Sequence, residues 1–260
     1  MGRGRGGAGS YGAEVTAWLS RGRSANTTLL TAADALMTNL QTDGIKSKIR
    51  RLNLFMGDNI ASVRDPLIGG SGGSDSAGGS LGYGDYSQSE GLVSINNAKY
   101  IDTTIVDGAR ATGYFWVNTS ASVVSHNPIG VANSAQTRYV TINPTLPYFF
   151  AFWSTSGSPS ITDATNSAVL GLYHVEHSGT GSNQLRYYTQ GTFRQAATLG
   201  TYPTNTSSYY VGCYNSAGTP TGTAQSNCGL YGITDGTMTD TDAANLNTRI
   251  NTFLSAIGRS

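Results

Sequence analysis

Three glutamates, three histidines and two cysteines bound the chemistry open to this 260-residue chain. Glycoside hydrolysis needs two carboxyl groups roughly 5–9 Å apart. Of Glu14, Glu90 and Glu176, only Glu176 falls in a strand-like central run, and no acid stands two or four residues from it. The pattern therefore argues against an enzyme, and no catalytic residue is assigned. His174-Val175-Glu176-His177 has the residue types of a metal site. On a strand, however, His174 and Glu176 share one face and His177 takes the other. Two ligands are too few, so a satisfied polar pair is the simpler reading; His126 has no partner in the sequence. Asp85, Asp102 and Asp107 could offer calcium oxygens, but no EF-hand spacing accompanies them. Turn capping is the ordinary role of Asp in such loops. Neither a metal nor a cofactor is expected. Cys213 and Cys228 fit opposite arms of a hairpin turning near 217–222, which leaves a cross-strand disulfide and two buried thiols both open.

Binding residues are the other candidates. Tyr187-Tyr188 and Tyr209-Tyr210 must each send one ring outward if they lie on strands, where it would stack on a sugar or fill an interface. The competing reading is a tyrosine on an ordinary β surface. Residues 1–51 hold eight Lys and Arg against three acids, whereas the remainder holds eight against twelve. Arg3, Arg5, Arg21 and Arg23 belong to this basic end, which reads either as an attachment region or as a solvated helical face. Two arginines in a Gly-rich arm are a weak nucleic-acid signal, and no specific nucleic acid is expected. Single surface ion pairs are worth only about 0–1 kcal/mol. Attachment through them thus implies a homo-oligomer, such as a trimer, that multiplies the contacts.

The elements that would position these residues follow from pattern. Residues 1–11 form a Gly/Arg arm without the apolar segment of a signal peptide. Residues 12–68 read as a helical lead-in. Thr31 and Asp34 suggest a capping box, Gly44 a stop, and Ile45, Ile49 and Leu52 a second short helix. Residues 69–84 contain eight glycines in sixteen positions and read as a loop. From 85 to 236 short apolar or alternating runs recur every ten or so residues, the pattern of an antiparallel sandwich or barrel. Residues 237–260 read as a helix, opened by a Thr239–Asp242 box, that packs on the sandwich. The long charge-free stretches are broken by Pro, Asn, Ser and Gly, so no membrane span is expected.

Two segments carry a resemblance. GDYSQSEGLVSINNAKYIDTTI (84–105) resembles the opening strands of laminin-G-like or concanavalin-like jelly rolls. GLYGITDGTMTDTDAANLNTRINTFL (229–254) resembles their closing strand and the helix after it. A third, LQTDGIKSKIRRLNLFMGD (40–58), resembles a lead-in of jelly-roll proteins of tailed phages. The resemblance implies a mostly-β jelly-roll sandwich with short N-terminal helices and a C-terminal helix. It also implies a non-enzymatic virion protein (head decoration, head fibre or tail-associated) whose partners are capsid or tail proteins. A carbohydrate-binding adhesion module is the alternative, with surface glycans as partners.

Overall fold

The computed structural model describes residues 11–106, 112–119, 128–133, 136–143, 148–154, 160–163, 170–178, 181–199, 206–222 and 226–259. Helix α1 (Ala13–Ser20) leads into α2 (Thr27–Thr42). The cap of α2 is Asn26, whose side chain accepts from the Leu29 N–H at 2.9 Å. The Thr31–Asp34 pair therefore lies inside the helix, and Asp34 instead accepts the Gly12 N–H at 2.6 Å, tying α1 to α2. Gly44, at φ +72°, ends the helical run as expected.

Strand β1 (Ile49–Asn53) then replaces the expected second helix. It pairs antiparallel with the last strand of the chain, so the spacing of Ile49 and Leu52 serves burial on a sheet. A short helix α3 (Ile60–Val63) follows, and then the glycine-rich stretch. That stretch is not all loop: it holds strand β2 (Ser76–Gly79). Gly78 earns its place there, because a Cβ would fall 2.1 Å from Cζ of Tyr100 on the neighbouring strand.

The remaining strands are β3 (Tyr86–Ser87), β4 (Gly91–Ile95), β5 (Lys99–Asp102), β6 (Thr112–Asn118), β7 (Ile129–Asn133), β8 (Gln136–Asn143), β9 (Tyr148–Ser154), β10 (Ser160–Asp163), β11 (Gly171–His177), β12 (Gly181–Thr189), β13 (Thr192–Leu199), β14 (Tyr210–Val211), β15 (Tyr214–Ser216), β16 (Thr219–Thr221) and β17 (Ser226–Thr234). Helix α4 (Asp240–Ala256) closes the fold behind the expected Thr239–Asp242 capping box.

The strands form two sheets among the described residues. One runs β13-β12-β11-β6-β17-β4-β3, with β1 also on β17. The other runs β10-β9-β8-β7-β14-β5-β2, with the β15–β16 hairpin beside β7. Two apolar cores result. Tyr114, Trp116, Tyr173, Val175, Tyr187 and Tyr231 fill the space between the sheets. Phe115, Val117, Leu172 and Leu230 face the other way, against Trp18, Leu36, Leu246 and Ile250 of the helices. Strand β6 is buried along its whole length, which is why its sequence runs apolar instead of alternating. No helix among the described residues is long and apolar enough to cross a membrane.

Candidate binding cleft

The helix-covered face of the first sheet carries the His174–Glu176 pair. Both side chains are sealed from solvent. His174 Nε2 lies 2.7 Å from Glu176 Oε2. The Thr234 hydroxyl donates to both carboxylate oxygens at 2.9 and 3.1 Å, and the Met238 N–H donates to Oε1 at 3.0 Å. Gly113 makes room, since a Cβ there would lie 2.0 Å from Glu176 Oε2. The carboxylate thus ties β11 to the β17–α4 connection. Beyond it, the Tyr188 ring stacks on His174 at 5.1 Å and its hydroxyl donates to Asp240 at 2.7 Å. Burial and the Asp240 carboxylate push the Tyr188 hydroxyl well above its ordinary value. No opening to substrate remains around Glu176. Glu14 is engaged by Lys46, and Glu90 accepts from Asn227 at 3.1 Å.

A cleft of about 440 Å³ opens where this face ends, within the roughly 300–1,000 Å³ typical of small-molecule sites. The sheet contributes Val117, Thr119, Leu170 and Gly171, the β12–β13 turn Gln190, and α4 Asn247, Asn251, Leu254 and Ser255. The α4 residues recur at helical spacing and so share one side of the helix. The Gln190 Nε2 donates to the Leu170 carbonyl at 3.0 Å. Asn247 Oδ1 is buried with no hydrogen-bond partner. Arg259 closes the bottom. It is wholly buried, and its guanidinium donates to the carbonyls of Gln88, Leu54, Gly229 and Phe55. The cleft is therefore lined by amides, hydroxyls and apolar walls on rigid elements, with no carboxylate.

The sequence expectation for the tyrosine pairs changes, and the cysteine alternatives are decided. Tyr187, Tyr188 and Tyr209 are fully buried and Tyr210 is 7% exposed, so none presents a ring to a ligand. Each pair does split between two faces, but the outer face of the first sheet is roofed by helices. Tyr187 and Tyr209 enter the inter-sheet core, Tyr188 packs beneath α4, and Tyr210 stacks on Tyr100 at 4.5 Å. Cys213 and Cys228 are separate buried thiols, not a disulfide. The hairpin near 217–222 is β15–β16, and Cys228 lies past it on β17 in the other sheet.

Arg21 and Arg23 both bind Asp65, at 2.8 and 2.7 Å. Lys46, Lys48 and Arg51 likewise pair with Glu14, Asp242 and Asp75. Five of the eight basic residues in 1–51 are thus held within the fold, and their charge is not a free patch. Arg3, Arg5, His126 and Asp107 lie outside the described residues. Asp102 caps a turn by accepting the Thr104 N–H, and Asp85 binds Lys99 and the Gly82 N–H. Among the described residues no three His, Cys, Asp or Glu side chains converge on a metal-sized site.

No family model matches the chain, and no curated protein matches it. Solved structures do. The binding domain of botulinum neurotoxin serotype D aligns with a TM-score of 0.52 at 10% identity, over 78% of this chain and 50% of that one. The fold is a jelly-roll β-sandwich. Domain 4 of AbnA, a GH43 extracellular arabinanase from Geobacillus stearothermophilus, solved with arabinotriose, aligns at 0.47 and 11% identity, over 76% of this chain and 98% of that one. A Trypanosoma rangeli sialidase aligns at 0.42 and 11% identity, over 62% of this chain and 28% of that one. The chain spans about half the length of the toxin domains it aligns with. At these identities the likeness is one of fold.

Proposed function

We propose that the chain is a non-enzymatic adhesion module that recognises a saccharide in the cleft between α4 and the end of the first sheet. The observation that carries this reading is the cleft itself, preformed on rigid elements and rich in neutral hydrogen-bonding groups. Saccharides are bound by such groups, because their hydroxyls both donate and accept. Sharing its sandwich with a toxin's binding domain supports recognition as the use of the fold. The glutamates offer no carboxylate pair facing a common space, so turnover is not part of the reading. Display on a phage particle is a further proposal that rests on the sequence resemblance, and its test is the protein's presence in purified particles.

A glycan array checks the binding reading. Ser255 is exposed at the cleft rim, so Ser255→Arg should block entry without touching the core. Binding of wild-type protein to arrayed glycans that disappears in this variant is the expected result. Binding that survives the blockade places recognition elsewhere on the sandwich.

A further inference from the structure

The turn between β12 and β13 is built against its own preferences. Gln190 and Gly191 have φ +48° and +72°. Two successive left-handed residues in a two-residue hairpin favour Asn, Asp or Gly at the first position, because a longer side chain there is strained. Gly191 has a packing reason for its identity. A Cβ there would meet Cβ of Asn247 at 2.7 Å and Cα of Ala244 at 3.0 Å, so the turn sits directly on α4. No packing of that kind calls for glutamine at 190. Strain of this sort is tolerated where the side chain has a task.

The side chain shows what that task would be. It lies across Gly171, where an added Cβ would touch its Cγ at 3.5 Å. Its Nε2 is fixed on the Leu170 carbonyl at 3.0 Å, an orientation the flipped amide could not keep, because two oxygens would then face each other. The carbonyl end, Oε1, therefore has a set position at the cleft and no protein donor among the described residues. Asn247 Oδ1, also at the cleft, is a second acceptor with no donor, and Asn118 adds a buried amide whose oxygen and nitrogen are both unpartnered. Arg259, the cation that lines the cleft, spends its guanidinium on backbone carbonyls.

We propose that Gln190 and Asn247 are specificity-determining acceptors that select an uncharged ligand through its hydroxyl donors, a neutral sugar as opposed to a uronic or sialic acid. This rests on the binding reading above. Hydroxyls, which donate and accept, can satisfy the exposed Gln190 carbonyl, the buried Asn247 carbonyl and the Asn118 amide, whereas a carboxylate can use only the Asn118 nitrogen and sets oxygen against oxygen at the other two with no free cation to offset it.

The test uses the full chain and a defined panel: the methyl glycosides of glucose, galactose and mannose, their monofluoro-deoxy analogues, glucuronate and N-acetylneuraminate. Fluorine accepts but cannot donate, so it isolates the donor requirement. Amide side-chain signals of Gln190 and Asn247 in ¹⁵N spectra should move with at least one neutral glycoside. They should move at least tenfold more weakly with one of its fluoro analogues and not at all with the two acids. Gln190→Gly relieves the turn, so it should unfold no earlier than wild type yet bind the glycoside at least tenfold more weakly. Gln190→Asn, which also tolerates the left-handed turn but is one methylene shorter, should do the same. The proposal falls if the acids bind as well as the glycosides, if no glycoside moves either signal, or if both Gln190 variants and Asn247→Ala bind like wild type. Should those variants keep array binding that Ser255→Arg abolishes, the cleft reading stands and only the acceptor pair is refuted. Loss of all array binding in wild type refutes both.

Discussion

Replacing Glu176 separates a structural carboxylate from a catalytic one. Its two oxygens accept from Thr234, Met238 and the His174 ring in a site with no solvent. Glu176→Gln keeps the shape. Its remaining oxygen must stay on the Met238 N–H, which can only donate, so the new NH₂ turns toward His174. That ring nitrogen can accept if the proton moves to Nδ1. The change loses charge assistance and leaves the shifted Nδ1 proton of His174 buried without an acceptor, a cost of about 1–3 kcal/mol. Glu176→Ala strands the Met238 N–H and the Thr234 hydroxyl and leaves a cavity, which together cost about 3–5 kcal/mol. For a chain of this size each kcal/mol moves the melting midpoint by roughly 2–4 °C, so the alanine variant should melt on the order of 10 °C lower. Guanidinium unfolding followed by tryptophan fluorescence reads the difference directly. Amide exchange at Met238 should accelerate first, because that bond anchors the start of α4. If both variants unfold within about 0.5 kcal/mol of wild type, the carboxylate does not tie β11 to α4 and the reasoning fails. If a polysaccharide is hydrolysed and Glu176→Gln abolishes turnover with an unchanged midpoint, Glu176 is catalytic and the adhesion reading fails with it.

Acid should unfold the protein through its paired carboxylates. Arg249 holds Asp43 below its ordinary value of 3.8; at Asp85 and Asp242 burial pushes the other way but is outweighed, by Lys99 with the Gly82 N–H and by Lys48 with Thr239. Carboxyls lowered in the fold stabilise it above their unfolded values, and that stability is lost as pH falls through the folded ones. The contribution of these three should therefore be flat from about pH 7 to 5 and decline below about pH 4, whereas burial raises Asp75 and its contribution runs the other way; an acid loss of stability that is unchanged in Asp43→Asn contradicts the pairing. Burial pushes both the Cys213 and Cys228 thiols up to about 12. Neither should react with a thiol reagent at pH 8 until the chain unfolds, and a melting midpoint that drops on adding reductant would expose a disulfide. Arg259→Met should strand three buried carbonyls and the part-buried one of Gln88 and cost about 3–5 kcal/mol, read by the same denaturant titration; an unchanged midpoint would mean that the guanidinium anchors nothing.

The fold was legible where one local rule acts alone. Thr112–Asn118 is β6 with the limits its apolar run suggests, and Thr239 with Asp242 opens α4. It was illegible where a tertiary partner overrides the local pattern. Ile49 and Leu52 stand three apart on a strand yet join the same helix-side core, because the register against β17 shifts by a bulge between Ile49 and Arg51. The glycine-rich run conceals β2 because Gly78 is required by the Tyr100 ring, a contact between segments more than twenty residues apart. The basic excess of residues 1–51 misled for the same reason. Asp65, Asp75 and Asp242, which neutralise it, lie beyond that window in the sequence and beside it in space.

The candidate site was hidden more deeply, and the tyrosine pairs show why. Alternation correctly sends Tyr187 and Tyr188 to opposite faces, but a ring on an outer face meets a ligand only if that face is bare. Here α1, α2 and α4 add a second core outside the first sheet, so Tyr188 finds His174 and Asp240 instead of solvent. A sandwich whose face is roofed in this way must recognise ligands elsewhere, and the seam where the roof stops short of the strand ends is one such place. Its lining comes from positions 117–119, 170–171, 190 and 247–259, which no motif spans. One local sign was available. Gln190-Gly191 between two strand-like runs marks a tight hairpin, and a hairpin of that length has little use for glutamine unless its side chain is needed where the turn places it.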